Sequence, residues 1–345
     1  MDGNAKEGIA TKHFKVLLTD RIDKAGIAIL EEKAEVKIAS CISEETLAEE
    51  VHDVDALIVR VPAVITRKIL ENAKKLRVIA RFGVGYDNID VCAATERGIV
   101  VTYTPGANTL AVAEYTIALM FALAKYIIKS DKALREHQWE MRLDYPGIEL
   151  TGKTLGIVGL GEIGVEVARL SKAIGMRVLY WSRTRKTDKE KELRIEYVPL
   201  SKEDLEKGLR IPEKLLKESH FISTHLALTE QTRGIIGAKE IAAMKEGAFL
   251  INTARGGLVD EKALYDALKT GKLAGAGLDV FEREPPYDSP LLSLDNVIVG
   301  PHVAALARDA MKRMSIWVAE DVLRVLNGEN PLYPVNPQVL ERMNK

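Results

Sequence analysis

The feature that most constrains the fold is the glycine-rich segment GLGEIG at 159–164, which follows an apolar run and opens an amphipathic helical pattern. In such a segment the first glycine permits a tight turn, the second lets the backbone approach a pyrophosphate, and the third lets helix and strand pack closely. The first turn of the helix also offers free N–H groups to an anion. Glycine triplets at this spacing also occur in purely structural turns, but the strand before and the helix after favour a dinucleotide site. The predicted contacts are Gly159, Leu160, Gly161, Glu162, Ile163 and Gly164.

Strand-like apolar runs alternate with helical patterns along the chain, which indicates parallel sheets built from βαβ units. The runs of one set lie at 15–20, 56–60, 77–82 and 99–103, and those of a second set lie at 154–160, 177–181, 220–226, 248–254 and 296–302. A chain of 345 residues is long enough for two domains of ordinary size. The last helical pattern, at 306–327, has no strand after it, so we expect it to pack back on the first domain. The predicted fold class is α/β with two Rossmann-like domains on parallel sheets, the first of them discontinuous and closed by the C-terminal helix.

Composition and charge exclude several classes of protein. Lys and Arg total 49 against 50 Asp and Glu, and this balance lacks the basic surplus expected of a nucleic-acid binder. Two cysteines, Cys41 and Cys92, cannot build a disulfide framework or a thiolate zinc site, and we predict no metal. The first fifteen residues lack the apolar stretch of a secretory signal. We therefore expect a cytoplasmic protein without nucleic-acid or membrane partners.

A long apolar segment lies at 110–128, where Glu114 and Lys125 interrupt the pattern. Its uninterrupted part is about half of the roughly 20 residues that a membrane-spanning helix needs. We expect a helix that is buried inside the fold or at a subunit interface. A second segment, 186–218, is charged and contains Pro212, and its pattern predicts no definite element.

The residues after the strand at 177–181 indicate which dinucleotide is bound. An NAD site usually carries an acidic residue about 20 residues after the glycine loop. The chain has SRTRK at 182–186 instead, with hydroxyls and cations but no acid. We expect NADP(H) to be preferred and NAD(H) to be possible, with Arg183 binding the 2′-phosphate between Ser182 and Thr184, because a guanidinium fork suits phosphate. The alternative is a solvated basic loop.

Three charged residues follow strands in the second half of the chain. Arg255 lies in NTARGGLVDEKAL (252–264), Glu284 in GAGLDVFEREPP (275–286), and His302 in VGPHVA (299–304). The carboxyl ends of parallel strands line a ligand crevice, so these side chains could converge there. Arg255 would bind a substrate carboxylate and polarise a keto oxygen, His302 would exchange a proton with that oxygen, and Glu284 would hold the imidazole protonated. Taken singly, each has an ordinary structural explanation, and the prediction rests on the set.

These segments together resemble the D-2-hydroxyacid dehydrogenase family from about residue 14 to residue 335. RFGVGYDNID at 81–90 and VTYTPGANTLAVAEY at 101–115 belong to the same resemblance. The resemblance implies hydride transfer between NAD(P)(H) and a small D-2-hydroxy or 2-keto acid, with Arg255, Glu284 and His302 as the catalytic residues. Formate dehydrogenases of the same superfamily carry Gln in place of Glu284, so the glutamate favours hydroxyacid chemistry.

The resemblance also implies domain roles and further contacts. It implies a substrate (catalytic) domain of 1–104 plus 305–345, a dinucleotide-binding domain of 105–304, and a homodimer formed through a helix at 108–129. The backbone N–H groups of Val84 and Gly85 would hold the substrate carboxylate. Along the nicotinamide it places Thr109, Ala254 and Asp279, with Asp279 bonding the carboxamide.

Two features point to different substrates. Arg60 and Arg81 occupy places where phosphoglycerate dehydrogenases resemble this chain and use arginine for the substrate phosphate, although interdomain salt bridges would explain them equally well. SRTRK instead resembles NADPH-dependent glyoxylate and hydroxypyruvate reductases. We therefore predict a 2-keto acid reductase of the glyoxylate/hydroxypyruvate type, with D-3-phosphoglycerate dehydrogenase as the alternative. From other classes, a dinucleotide-sensing corepressor-like binding protein and a methyltransferase remain open.

Overall fold

The computed structural model describes residues 13–343 and divides the chain into two compact units. The first unit consists of two segments, the chain up to Asn108 and the chain from Leu306 onward. The second unit is Thr109–Ala305. Each unit is built on its own parallel sheet, which confirms the predicted fold class. The roles of the units as substrate and dinucleotide domains stay predictions.

The first unit has a five-stranded sheet in the order β2-β1-β3-β4-β5. Its first elements are β1 (Phe14–Leu18), α1 (Lys24–Glu31), β2 (Ala34–Ile38), α2 (Glu44–Glu50), β3 (Ala56–Val59), α3 (Arg67–Asn72), β4 (Val78–Arg81), α4 (Val91–Glu96) and β5 (Val100–Thr102). Side-chain caps begin several helices: Thr66 accepts the Ile69 N–H, and Asp90 accepts the Ala93 N–H. The sequence patterns missed β2, because in this edge strand only Ala34 is buried and charged residues interrupt the apolar signal.

The second unit has a seven-stranded sheet in the order β12-β11-β10-β9-β6-β7-β8. Its strands are β6 (Thr154–Val158), β7 (Arg177–Trp181), β8 (Glu196–Tyr197), β9 (Phe221–Thr224), β10 (Ala248–Asn252), β11 (Leu273–Leu278) and β12 (Val297–Val299). Its helices are α5 (Thr109–Ala124), α6 (Ile127–Arg135), α7 (Glu162–Ala173), α8 (Thr187–Leu193), α9 (Lys202–Glu206), α10 (Glu213–Glu218), α11 (Ala238–Ala243) and α12 (Glu261–Lys269). The strand order reverses at β6, between β9 and β7, and ligands of such sheets bind outside the carboxyl ends at that point. The glycine loop follows β6 directly.

The prediction of a single helix at 108–129 is wrong. The helix breaks after α5, and Tyr126 takes a left-handed conformation with φ 52°. A left-handed residue cannot continue a right-handed helix, so α6 starts in a new direction, bent by 58° from α5. Within residues 13–343, no single helix has the length and apolar character to cross a membrane, and α5 with α6 meets that test only as this bent pair.

The C-terminal part of the first unit consists of α13 (Arg308–Leu326) and α14 (Gln338–Met343). Helix α13 packs against α1 so closely that a Cβ on Gly26 would collide with the Ser315 carbonyl, and the Asp23 N–H donates to the Ser315 hydroxyl at 2.8 Å. Arg77, just before β4, donates to two carbonyls at the end of α13. The last helical pattern therefore packs back on the first sheet, as predicted.

Candidate active site

The glycine loop has the geometry that a bound pyrophosphate requires. Gly159 has φ +100°, and a Cβ there would lie 2.7 Å from the His225 carbonyl oxygen. A Cβ on Gly164 would collide with the Gly159 carbonyl, so this glycine lets α7 approach β6. At Gly161, the N-cap of α7, a Cβ would meet no described atom within 4 Å, which leaves the backbone open on that side. The residues present therefore fit a dinucleotide.

The cation loop, defined as Ser182–Lys186 after β7, contains two arginines that differ in their hydrogen-bond partners. Arg185 donates to both carboxylate oxygens of Glu190, at 2.9 and 2.8 Å. Arg183 is exposed, and among residues 13–343 its side chain has no ion pair or hydrogen bond. Ser182 is buried and donates to the Thr184 carbonyl at 2.6 Å. Of the two arginines, Arg183 is therefore the one available to a phosphate.

His302 and Glu284 form a close pair in the second unit. The imidazole Nδ1 lies 2.8 Å from Glu284 Oε2, and the other carboxylate oxygen accepts the Phe281 N–H at 3.2 Å. Burial acts to raise the pKa of Glu284, but the hydrogen bond and charge of His302 outweigh it, and the pKa falls below its ordinary value. The ionised carboxylate therefore accepts a hydrogen bond from the Nδ1–H group. Nε2 is then the ring nitrogen that can exchange a proton.

Asp279, directly after β11, holds the loop that carries His302. Its carbonyl accepts the His302 N–H at 2.8 Å, and its carboxylate oxygens accept the N–H groups of Val303 at 2.9 Å and Ala304 at 2.7 Å. Burial raises the pKa of this carboxyl group, against the opposing effect of the two N–H groups. His302 has φ 57°, a conformation that these bonds support. This loop-holding role had no sequence signal, and the predicted carboxamide contact stays a prediction.

Arg255 follows β10 on a turn that Asn252 organises. The Asn252 amide donates to the Arg255 carbonyl at 2.9 Å, while its oxygen accepts the Ala254 N–H at 3.1 Å and the Thr224 hydroxyl at 2.8 Å. Gly256 must be glycine, because a Cβ there would collide with the Phe281 carbonyl. Arg255 is half-buried, and its charge helps to lower the pKa of Glu284. Sequence reasoning missed Asn252, although an Asn at a strand end before a turn is a known local signal.

In the first unit, Arg81 holds the loop that contains Val84 and Gly85. This buried arginine, 4% exposed, donates from Nε to the Gly85 carbonyl at 2.6 Å and also bonds the Phe82 carbonyl. On the other side of the loop, Gly83 and Thr104 exchange two hydrogen bonds of 3.0 Å. Arg81 therefore shapes the backbone whose N–H groups are predicted to meet a substrate carboxylate.

Arg60 is engaged at the end of β3. Its guanidinium lies 3.2 Å from Asp20, donates to the Arg21 carbonyl, and sits over the Phe82 ring at 5.1 Å from the centroid. These partners lie in the same unit as Arg60. A substrate phosphate would compete with Asp20 for this guanidinium.

Comparison with known proteins shows one family throughout. A family model described as D-isomer specific 2-hydroxyacid dehydrogenase, NAD binding domain, matches residues 117–304. A glyoxylate reductase of Korarchaeum cryptofilum is 44% identical over 334 residues, which cover 95% of this chain and 97% of that protein. A D-3-phosphoglycerate dehydrogenase of Methanocaldococcus jannaschii is 46% identical over 315 residues, or 91% of this chain, but the chain spans only 58% of that longer relative.

Solved structures agree with the sequence relatives. A glyoxylate reductase from Paecilomyes thermophila has a TM-score of 0.82 at 34% identity, covering 94% of this chain and 99% of that one. An NADPH-dependent glyoxylate/hydroxypyruvate reductase from Sinorhizobium meliloti, in complex with NADP and malonate, has a TM-score of 0.81 at 31% identity, with 93% and 96% of the two chains covered.

Proposed function

Because the chain belongs to the D-isomer specific 2-hydroxyacid dehydrogenase family, we propose that it reduces small unphosphorylated 2-keto acids with NADPH, as a glyoxylate/hydroxypyruvate reductase. The observation that carries the proposal is the pair of Glu284 and His302 at 2.8 Å, in the unit that also holds Arg255 and the glycine loop. An acid that holds a histidine, together with an arginine for a carboxylate, matches the needs of keto-acid reduction.

In this mechanism the second unit supplies the proton and the positive charge. The glycine loop would hold a nicotinamide dinucleotide, with Thr109, Ala254 and Asp279 on its nicotinamide side, and the dinucleotide would supply the hydride. His302 gives the proton on Nε2 to the keto oxygen while Glu284 keeps Nδ1 engaged. Arg255 binds the carboxylate and stabilises the charge that develops on the keto oxygen.

In the first unit, the N–H groups of Val84 and Gly85 bind the substrate carboxylate. The hydrogen bond from Arg81 to the Gly85 carbonyl supports this role, because it fixes the backbone that carries those N–H groups. Preorganised donors of this kind cost little reordering when the anion arrives.

The state of Arg60 and Arg81 favours an unphosphorylated substrate. Arg81 is buried and committed to backbone carbonyls, and Arg60 is paired with Asp20. Binding a phosphate through Arg81 would break contacts to the backbone, and at Arg60 the phosphate would compete with Asp20 for the guanidinium. D-3-phosphoglycerate dehydrogenase is the second candidate, supported by the relative from Methanocaldococcus jannaschii.

Substrate choice is tested by kcat/KM with NADPH for hydroxypyruvate and for 3-phosphohydroxypyruvate at one pH and one salt concentration. We expect hydroxypyruvate to be preferred, with glyoxylate also reduced. A site built around a phosphate would instead reject the substrate lacking it, by as much as about 10⁴-fold. A strong preference for the phosphorylated acid would therefore favour the phosphoglycerate reaction. Absence of all turnover in folded, NADPH-binding protein would favour a corepressor-like function.

Cofactor choice rests on Arg183, which the structure leaves exposed. Replacing Arg183 by Ala is expected to weaken NADPH binding by about 1.5–3 kcal/mol, since a charge-assisted hydrogen bond to phosphate is lost. NADH has no 2′-phosphate, so its binding should change little. The matched control is Lys189→Ala, which removes one positive charge from nearby α8, where Lys189 pairs with Glu192. Equal losses for both dinucleotides in Arg183→Ala would contradict the NADPH preference.

We also propose a homodimer formed through the region of α5 and α6. Large apolar side chains are exposed there, at Leu110, Ile127, Ile128, Leu134, Trp139 and Leu143. Several exposed large apolar side chains in one region are typical of an interaction surface, and the mass in solution tests the proposed dimer. We propose a cytoplasmic location as well. Cys41 and Cys92 are exposed and form no disulfide, and reducing compartments keep thiols free. Cell fractionation tests this location.

A further inference from the structure

The cation loop is held in shape by two residues outside it, Tyr180 and Glu190. Tyr180 is the penultimate residue of β7 and is fully buried. Its hydroxyl accepts the Lys186 N–H at 2.9 Å and donates to Glu190 Oε1 at 2.7 Å. One buried hydroxyl therefore joins the last residue of the loop to helix α8.

Glu190 closes this network from α8. Both of its carboxylate oxygens accept hydrogen bonds from Arg185, and one of them also accepts the Tyr180 hydroxyl. These hydrogen bonds lower the pKa of Glu190 to about 2. The Arg185 guanidinium also lies over the Tyr197 ring, 5.4 Å from its centroid. Glu190 is thus ionised at neutral pH and keeps Arg185 in place.

This network leaves Arg183 as the arginine of the loop whose side chain has no hydrogen bond or ion pair among residues 13–343. Arg185 is neutralised by Glu190, and Tyr180 holds the end of the loop at Lys186. At the other end, the Ser182 hydroxyl bonds the Thr184 carbonyl across Arg183. The backbone on both sides of Arg183 is therefore fixed before any ligand binds.

We propose that Tyr180 and Glu190 are positioning residues for cofactor choice, whose hydrogen bonds hold the cation loop in the shape that presents Arg183 to a 2′-phosphate. This inference rests on the proposed NADPH preference and deepens it. A preorganised arginine loses less conformational freedom on binding than one on a loose loop. The benefit goes only to a ligand with a 2′-phosphate, so it appears as discrimination between NADPH and NADH.

The test measures the dissociation constants of NADPH and NADH by the fluorescence of the reduced nicotinamide, without substrate. Replacing Tyr180 by Phe removes the hydroxyl, changes no charge and keeps the ring that packs on Tyr197. We expect NADPH to bind about tenfold more weakly, the size expected from loss of an ordering hydrogen bond, and NADH to change less than about twofold. The matched control is Tyr197→Phe, because the Tyr197 hydroxyl makes no hydrogen bond to the residues described. It should change neither constant.

A double-mutant cycle with Arg183→Ala separates positioning from general loosening. If Tyr180 acts through Arg183, Tyr180→Phe should have no further effect on NADPH binding once Arg183 is absent. Equal weakening of NADPH and NADH, or an undiminished effect in the Arg183→Ala background, would overturn the inference. If Arg183→Ala weakens NADPH selectively but Tyr180→Phe does not, only this inference fails. If Arg183→Ala is not selective, the proposed cofactor preference fails with it.

The second variant is Glu190→Gln, which keeps the hydrogen-bonding groups near Tyr180 but removes the charge that holds Arg185. If Glu190 positions the loop, Glu190→Gln should weaken the binding of NADPH more than that of NADH. Glu190→Asp keeps the negative charge and should therefore retain part of the NADPH affinity that Glu190→Gln loses. If Glu190 only repels the 2′-phosphate, Glu190→Gln would tighten NADPH binding, which contradicts the proposal. Thermal unfolding of each variant establishes that the binding changes belong to folded protein.

Discussion

Replacing His302 by Asn is expected to lower kcat for 2-keto acid reduction by roughly 10²–10⁴-fold while the affinity for NADPH stays unchanged. The side chain that would protonate the keto oxygen is lost, and the Phe281 N–H, which also donates to Glu284, is a backbone amide that cannot take its place. Asn suits the test because it tolerates the left-handed conformation that His302 adopts, at φ 57°. The loop itself should survive, since Asp279 holds it through backbone N–H groups.

The control for this variant is His52→Asn, at an exposed histidine in the first unit. It should leave kcat, KM and NADPH binding as they are. Turnover of His302→Asn near that of the unchanged protein would contradict the assigned role and favour chemistry, such as methyl transfer, that needs no acid at this position. If His302→Asn lost both turnover and NADPH binding, the loss would instead indicate that the loop had lost its structure. Circular dichroism and thermal unfolding would detect such a structural change.

Replacing Arg255 by Gln is expected to lower kcat/KM for hydroxypyruvate by about 10²–10³-fold or more, because the residue is proposed both to bind the carboxylate and to stabilise the developing oxyanion. Arg255→Lys should recover only part of the loss, since an ammonium group lacks the two-pronged geometry of a guanidinium. NADPH binding should be retained, because the glycine loop and the cation loop are untouched. The measurement is steady-state kinetics with both variants, together with NADPH titrations.

Arg283→Gln is the matched control for Arg255. Arg283 precedes Glu284, but its side chain is 86% exposed and its nearest acidic partner, Asp288, is 3.9 Å away. The same change of charge close to the Glu284–His302 pair should therefore leave kcat/KM within about twofold, as surface charges usually contribute little. Similar losses in both variants would mean that Arg255 acts by long-range charge rather than by contact with the substrate.

Long, strongly apolar elements were predictable from the sequence, and marginal ones were not. Strand β7 lies where the apolar run at 177–181 placed it, and α7 follows the glycine loop where the helical pattern indicated. Strand β8, two residues long and half-buried, was missed, because its pairing with β7 depends on the sheet edge and not on its own composition. The break at Tyr126 was missed too, since nothing in a local apolar pattern specifies a left-handed residue.

The candidate site divides in the same way. The glycine loop and the strand-end residues Arg255, Glu284 and His302 could be named in advance, because their residue types and their places after strands carry the signal. Arg183 could also be named in advance, but the partners of the other two arginines could not: Glu190 on α8 for Arg185, and Asp20 for Arg60.

The sequence by itself determined the α/β class, the position of the glycine loop and the family. These follow from local periodicity, glycine spacing and ordered motifs, which need no knowledge of distant contacts. Only the tertiary structure decided what the other polar groups bond to: Asp279 to the loop that carries His302, Tyr180 to the cation loop and Arg81 to Gly85. A hydrogen bond requires two atoms within about 3 Å. For groups many residues apart in the chain, sheet order and packing set that separation, and a local pattern does not encode it.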